Sequence, residues 1–226
     1  LRAANDNAEI KEGNMSDIDV DHQINAVQRA VGTRTIDTGD AHVVTVSQSY
    51  DTDPADLWDA VTTIERIPRW FLPISGDLTV GGSYQLEGQA NGTILTCDPP
   101  KNFTATWEWG GNVSWIDVSI GSDGPDRARL VIEHITHGDD ETWREFGPGA
   151  VGMGWDSMLL GLAIHLGTGE SIDPSFGQQW TGTEEGRRFL TLSGEEWYTA
   201  SVASDADPTA ARASADRCIK AYLGDE

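Results

Sequence analysis

The sequence predicts an α+β protein in which a curved antiparallel sheet packs against one long apolar helix. Three observations lead there. Residues 150–166, AVGMGWDSMLLGLAIHL, place Val151, Trp155, Leu159, Leu162 and Leu166 at helical spacing, and Met158 thickens the stripe. Such a helix, apolar on most sides, needs a broad surface to cover it. Residues 76–135 break instead into short runs separated by Gly, Pro, Asn and Asp, the pattern of consecutive strands joined by tight turns.

The elements follow in order. Residues 1–40 are polar with little periodicity, and a loosely attached arm is expected. Ile18, Val20, Ile24, Val27 and Val31 would support one short helix or strand within it. Leu1 is not an initiator residue, so the true start is expected elsewhere, with Met15 a candidate. Residues 41–50 alternate with β-branched residues and predict the first strand. Asp53-Pro54 then opens a helix, Asp53 as N-cap and Pro54 in the first turn, with Leu57, Trp58 and Val61 inward. A second short helix is expected over 64–70. Leu78 and Val80 precede Gly81-Gly82, which suits a tight turn or bulge. Strands are predicted at 83–87, 93–97, 102–109, 113–120 and 128–135, and a polar loop at 137–148. After Thr168 the composition shifts: a linker over 171–179, then helices over 184–203 and 208–223. The implied organisation is an arm at 1–40, a sheet-and-helix domain at 41–168 and a helical extension at 169–226. The extension's apolar stripe of Phe189, Leu192 and Trp197 must dock on that domain or on a second subunit.

Alternation assigns faces. Phe103, Ala105, Trp107 and Trp109 share one face of their strand. Ile116, Val118 and Ile120 share one face of the next, and Leu130, Ile132 and His134 one face of the last. These sets should meet the long helix. The opposite face is mostly polar, yet Trp115, Val131 and Ile135 there need partial cover.

Composition excludes several classes of function. With 15 basic and 37 acidic residues the net charge is −22, which repels phosphate backbones and anionic lipid. Neither a nucleic-acid partner nor membrane insertion is expected. Cys97 and Cys218 are the only cysteines, and scattered His and Cys argue against a structural metal. No cofactor is expected. The sequence shows neither a signal peptide nor an uninterrupted apolar span, which predicts a cytoplasmic protein. Gly81-Gly82 lacks the Lys of a phosphate loop, Asp139-Asp140-Glu141 lacks EF-hand spacing, and no serine sits in a nucleophile elbow.

An ordered set of short pieces resembles the activator of heat-shock protein 90 ATPase homologue family, of the START-like (SRPBCC) superfamily. It begins with Pro54-Ala55-Asp56-Leu57-Trp58, Trp70-Phe71 with Pro73, and Gly76-Asp77-Leu78 with Val80-Gly81-Gly82. Gly92 with Ile94, Asp98-Pro99-Pro100, Trp107, the strand ending at His134, and Gly154-Trp155 complete it. The likeness covers residues 43–168. It implies a helix-grip fold, a sheet wrapped around a long helix with a cavity between. Superfamily relatives bind lipids, polyketides or other apolar molecules, and a few are enzymes. The family shares no fixed catalytic set, so no catalytic residue carries over.

The candidate ligand-binding residues follow from the faces. Phe71, Tyr84, Trp107, Trp109 and Trp155 supply aromatic walls. Ile116, Val118, Leu130 and Ile132 come from strands, and Val151, Met158 and Leu159 from the helix. Gly152 and Gly154 are expected to leave room beside Trp155. His134 is the main polar candidate, able to orient a ligand oxygen or move a proton, or else simply to satisfy a neighbouring polar group. His165, at the helix end, reads as structural. The leading function is the binding of an apolar or amphipathic small molecule. A cyclase- or hydrolase-like enzyme using the same cavity, which would need at least two convergent polar groups, is one alternative. A chaperone-activator-like interaction module, which would show a filled core and an exposed apolar patch, is the other. A homodimer is compatible with all three.

Overall fold

The structure, a computed structural model, describes residues 18–173 and 175–225. Met15, the candidate start, lies outside them. The first described element is α1 (Val20–Ala26), capped by Asp19, whose side chain accepts from His22 N at 2.9 Å. It leads into β1 (Gln28–Ile36), which pairs antiparallel with β2 (Gly39–Tyr50). Residues 20–36, expected as a loose arm, are therefore an integral helix and an edge strand. The pattern QRAVGTRTI buries little, so its pairing is set by β2 and not by its own hydrophobicity.

Next comes α2 (Pro54–Thr62). Asp53 accepts from Ala55 N and Asp56 N, both at 2.9 Å, and Pro54 sits where its missing N–H costs nothing. The short helix expected over 64–70 contracts to a 3₁₀ turn at Ile67–Arg69. Then come β3 (Ile74–Gly76), β4 (Ser83–Leu86), β5 (Asn91–Asp98), β6 (Asn102–Trp109), β7 (Asn112–Ser122) and β8 (Ala128–His137). The eight strands form one open antiparallel sheet in the order β1-β2-β8-β7-β6-β5-β4-β3. The polar loop over 137–148 contains α3 (Glu141–Phe146), and α4 (Gly149–Thr168) is the long apolar helix. The linker over 171–179 contains the start of α5 (Phe176–Trp180), followed by α6 (Glu184–Ala203) and α7 (Pro208–Leu223).

The register aligns Val44, His134, Ile116, Ala105 and Ile94 in one row across β2, β8, β7, β6 and β5. All five are buried on the face that meets α4. On the other face Ala41, Val43 and Ile135 form a small cluster covered by Ile36 and Trp115. Arg34 ties that face together, donating to Asp117 at 2.8 Å and to Glu133.

Behind α4 lie α6 and α7. Gly152 is where α6 comes closest: a Cβ there would stand 2.2 Å from the Trp197 ring. Gly161 does the same for the chain at Trp70, whose carbonyl would lie 2.5 Å from an added Cβ. Asp156 locks the junction. This carboxylate is fully buried and accepts from Arg29 Nε of β1 at 3.1 and 2.9 Å, from Trp197 Nε1 at 3.1 Å, and from Ser193 Oγ. Arg29 Nη1 also donates to the carbonyls of Ile24 and Val27. One buried charge pair thus joins β1, the end of α1, α4 and α6.

Candidate functional site

Between the sheet and α4 the core is not filled. A cavity of about 130 Å³ opens there, close to the ~150 Å³ of an apolar cavity known to take up benzene. The sheet contributes Tyr84 from β4, Trp107 from β6, Ile116 and Val118 from β7, and Leu130 and Ile132 from β8. Helix α4 contributes Trp155 and Met158, one turn apart, and Phe71 closes the side after the 3₁₀ turn. These are the candidates that the structure brings together.

Four others lie elsewhere. Trp109 continues the Trp107 face but sits at the β6–β7 hairpin end and is 56% exposed. Leu159 is fully buried in the core, and its carbonyl faces the Tyr50 hydroxyl at 3.5 Å. Val151 is half-buried against the core near the start of α4. His134 stands behind the wall and does not line the space. The room expected beside Gly152 and Gly154 is also absent. Trp197 occupies the first position, and the Tyr222 hydroxyl approaches the second, 3.2 Å from where a Cβ would stand.

Sequence reasoning missed a whole side of the cavity. Val61 and Thr62 of α2, Ile67 and Trp70 around the 3₁₀ turn, Ile74 of β3 and the loop residue Leu78 enclose it there. Leu86, Ile94 and Cys97 on β4 and β5 complete the floor, together with Phe103 and Ala105 of β6, which alternation sets on the inner face. The Trp70-Phe71 pair, stacked with centroids 5.7 Å apart, was the available signal, since two adjacent aromatics in a turn need a surface to cover.

His134 has a defined task. Its Nδ1 accepts from Trp155 Nε1 at 3.1 Å, so that nitrogen carries no proton. The proton of the neutral ring is therefore on Nε2, which donates to Ser114 Oγ at 2.9 Å. Ser114 passes the chain on, donating to the Trp107 carbonyl at 2.9 Å. Burial brings the imidazole pKa down to about 4, so the ring is neutral at pH 7. Both ring nitrogens are engaged, and the imidazole holds the walls Trp107 and Trp155, whose centroids are 5.1 Å apart. His165, also buried, donates from Nδ1 to the Glu170 carbonyl at 2.7 Å at the end of α4.

Among the described residues that line the wall there is no Lys, Arg, His, Asp or Glu. Its ionisable members are Tyr84 and Cys97. Burial raises both pKa values, with Glu108 and Asp98 respectively adding to the shift. The Tyr84 hydroxyl donates to the Thr106 carbonyl at 2.7 Å. Among the described residues no group of three or more His, Cys, Asp or Glu is placed to hold a metal ion. Among them, too, no helix is long and apolar enough to cross a membrane.

Comparison with known proteins places this geometry. The family described as Activator of Hsp90 ATPase homolog 1-like protein matches residues 51–167. The crystal structure of CalU16 from Micromonospora echinospora is 32% identical, with a TM-score of 0.63 over 77% of this chain and 98% of that one. Its solution structure gives 31% identity and a TM-score of 0.65 over 79% and 96%. EF2215 from Enterococcus faecalis, a conserved protein of unknown function, is 15% identical with a TM-score of 0.51 over 76% and 91%, a likeness of fold alone. No curated protein matches.

Proposed function

We propose that this chain, which belongs to the Activator of Hsp90 ATPase homolog 1-like family, binds an apolar or amphipathic small molecule between its sheet and α4. The observation that carries this reading is the cavity: an apolar space lined by aromatic rings, inside the main hydrophobic cluster. Empty apolar space forfeits dispersion contacts on every wall, and a ligand restores them. Burying ligand surface gains about 25 cal/mol per Å² before ordering costs, so a compact hydrophobic molecule suffices for measurable binding.

The cyclase- or hydrolase-like alternative needs convergent acid and base groups. His134 has both nitrogens committed, and the wall adds only Tyr84 and Cys97, so binding is the better-supported reading. The interaction-module alternative draws on Trp109 and Val113, exposed at the β6–β7 hairpin. Two residues make a much smaller feature than the cavity.

The test is a titration of apolar ligands followed by tryptophan fluorescence. Saturable quenching is expected, weakened strongly by Trp155→Ala and little by Trp109→Ala, since only the first indole lines the cavity. Equal sensitivity to the two substitutions, or no saturable quenching across a broad ligand panel, would move the interaction module ahead.

A further inference from the structure

Nearly every hydrogen-bond donor on the cavity wall can be followed to an acceptor. Trp70 Nε1 donates to the Ala60 carbonyl at 2.9 Å, and Trp155 Nε1 to His134 Nδ1. The Thr62 hydroxyl donates to the Trp58 carbonyl at 2.7 Å, and the Tyr84 hydroxyl to that of Thr106. Two donors remain. One is the Cys97 thiol, a weak donor on an exposed residue. The other is the indole N–H of Trp107, which has no acceptor among the described residues. Nor is it sealed inside the protein. Buried side-chain nitrogens and oxygens without a partner occur at Arg29, Thr136, Trp180 and Arg212, and Trp107 is not among them. Its N–H therefore keeps some exposed surface, on a ring that lines the cavity.

The ring that carries it is fixed in place. The Trp107 carbonyl holds the Ser114 hydroxyl, and its ring lies 5.1 Å from Trp155 and 6.0 Å from His134. The surrounding wall offers a ligand aromatic and aliphatic faces and no cation. A carboxylate placed there would be desolvated without a partner, in a protein of net charge −22.

We propose that Trp107 Nε1 is the polar anchor of this cavity, and that the cavity selects an uncharged aromatic compound carrying one hydrogen-bond acceptor, an aryl ketone being the simplest form. This rests on the binding function proposed above. The ring of such a compound fits the volume of the space, its acceptor meets the one strong donor left open, and a charged analogue such as an aryl or alkyl carboxylate is rejected. Selectivity then comes from a donor that an unsubstituted hydrocarbon leaves unpaired.

Three probes of similar size separate these features: ethylbenzene, acetophenone and benzoate, titrated calorimetrically into the full chain. Acetophenone should bind about 2- to 10-fold tighter than ethylbenzene, the worth of one neutral hydrogen bond, and benzoate most weakly. Trp107→Phe keeps the aromatic wall and removes the donor. It should abolish the preference for acetophenone, read as the ratio of the acetophenone and ethylbenzene affinities measured within the same variant. A second measurement needs no substitution: in ¹⁵N-labelled wild-type protein, the Trp107 indole cross-peak should move downfield with acetophenone and not with ethylbenzene. Ethylbenzene binding with no gain for acetophenone, a gain that survives Trp107→Phe, or an indole cross-peak that acetophenone leaves unmoved would overturn the anchor alone. Failure of both neutral probes to bind the wild-type chain would overturn the anchor together with the cavity reading.

Discussion

Replacing His134 should change how the protein's stability depends on pH, and the size of the change follows from the structure. The imidazole is 3% exposed, and burial lowers its pKa from 6.5 to about 4. The unfolded chain therefore takes up a proton at this residue before the folded chain does. Between these two values, stability rises with pH and is lost as pH falls. Integrating a single site with those two pKa values gives a loss of about 2 kcal/mol between pH 7 and pH 5. Other groups titrate over the same range, so the quantity to measure is a difference. Urea unfolding of the wild type and of His134→Gln at pH 7, 6 and 5 isolates it. The amide of Gln can still accept from Trp155 and donate to Ser114, but it does not titrate. The wild type should lose about 2 kcal/mol more than the variant over this interval. Equal losses in both proteins would refute the assignment of a neutral, doubly engaged imidazole behind the cavity wall.

Two further outcomes test the frame that holds α4. Asp156→Ala should destabilise the protein by about 3–5 kcal/mol, because it strands the Arg29 guanidinium in the core. A loss below about 1 kcal/mol on urea unfolding would show that the pair does not hold the junction. Gly152→Ala should cost about 1–3 kcal/mol or more, since the added methyl meets Trp197. A melting temperature unchanged from wild type would contradict the close approach of α6 to α4.

Local signals carried much of the fold. Alternation over Asn102–Trp109 identified β6 and its inward face, and Asp53-Pro54 identified the start of α2. The apolar stripes over Glu184–Ala203 and Pro208–Leu223 identified α6 and α7. What escaped depends on partners distant in sequence. Strand β1 has little hydrophobic pattern of its own and exists through its ladder with β2, while Arg29 within it is buried only because Asp156 receives it. β3 has three residues, too few for a period. At the site, alternation told which strand residues face α4 but not where the helix stops covering them, so Trp107 lines the cavity and Trp109 is exposed. The room read into Gly152 was filled by Trp197, a contact with no trace in local sequence. His134 was correctly set on the inner face, yet its role depends on Trp155 and Ser114, which only tertiary packing brings to its two nitrogens.

The proposed binding function requires that the space between the sheet and α4 admit an apolar guest, and xenon tests this without presupposing a ligand. Xenon enters apolar cavities of this size because it gains dispersion contacts and needs no hydrogen bonds. A crystal of the protein pressurised with xenon should show a strong anomalous peak bounded by Phe71, Trp107, Trp155 and Met158. A crystal in which these side chains close on one another and no xenon peak lies among them would rule out a binding cavity between sheet and helix.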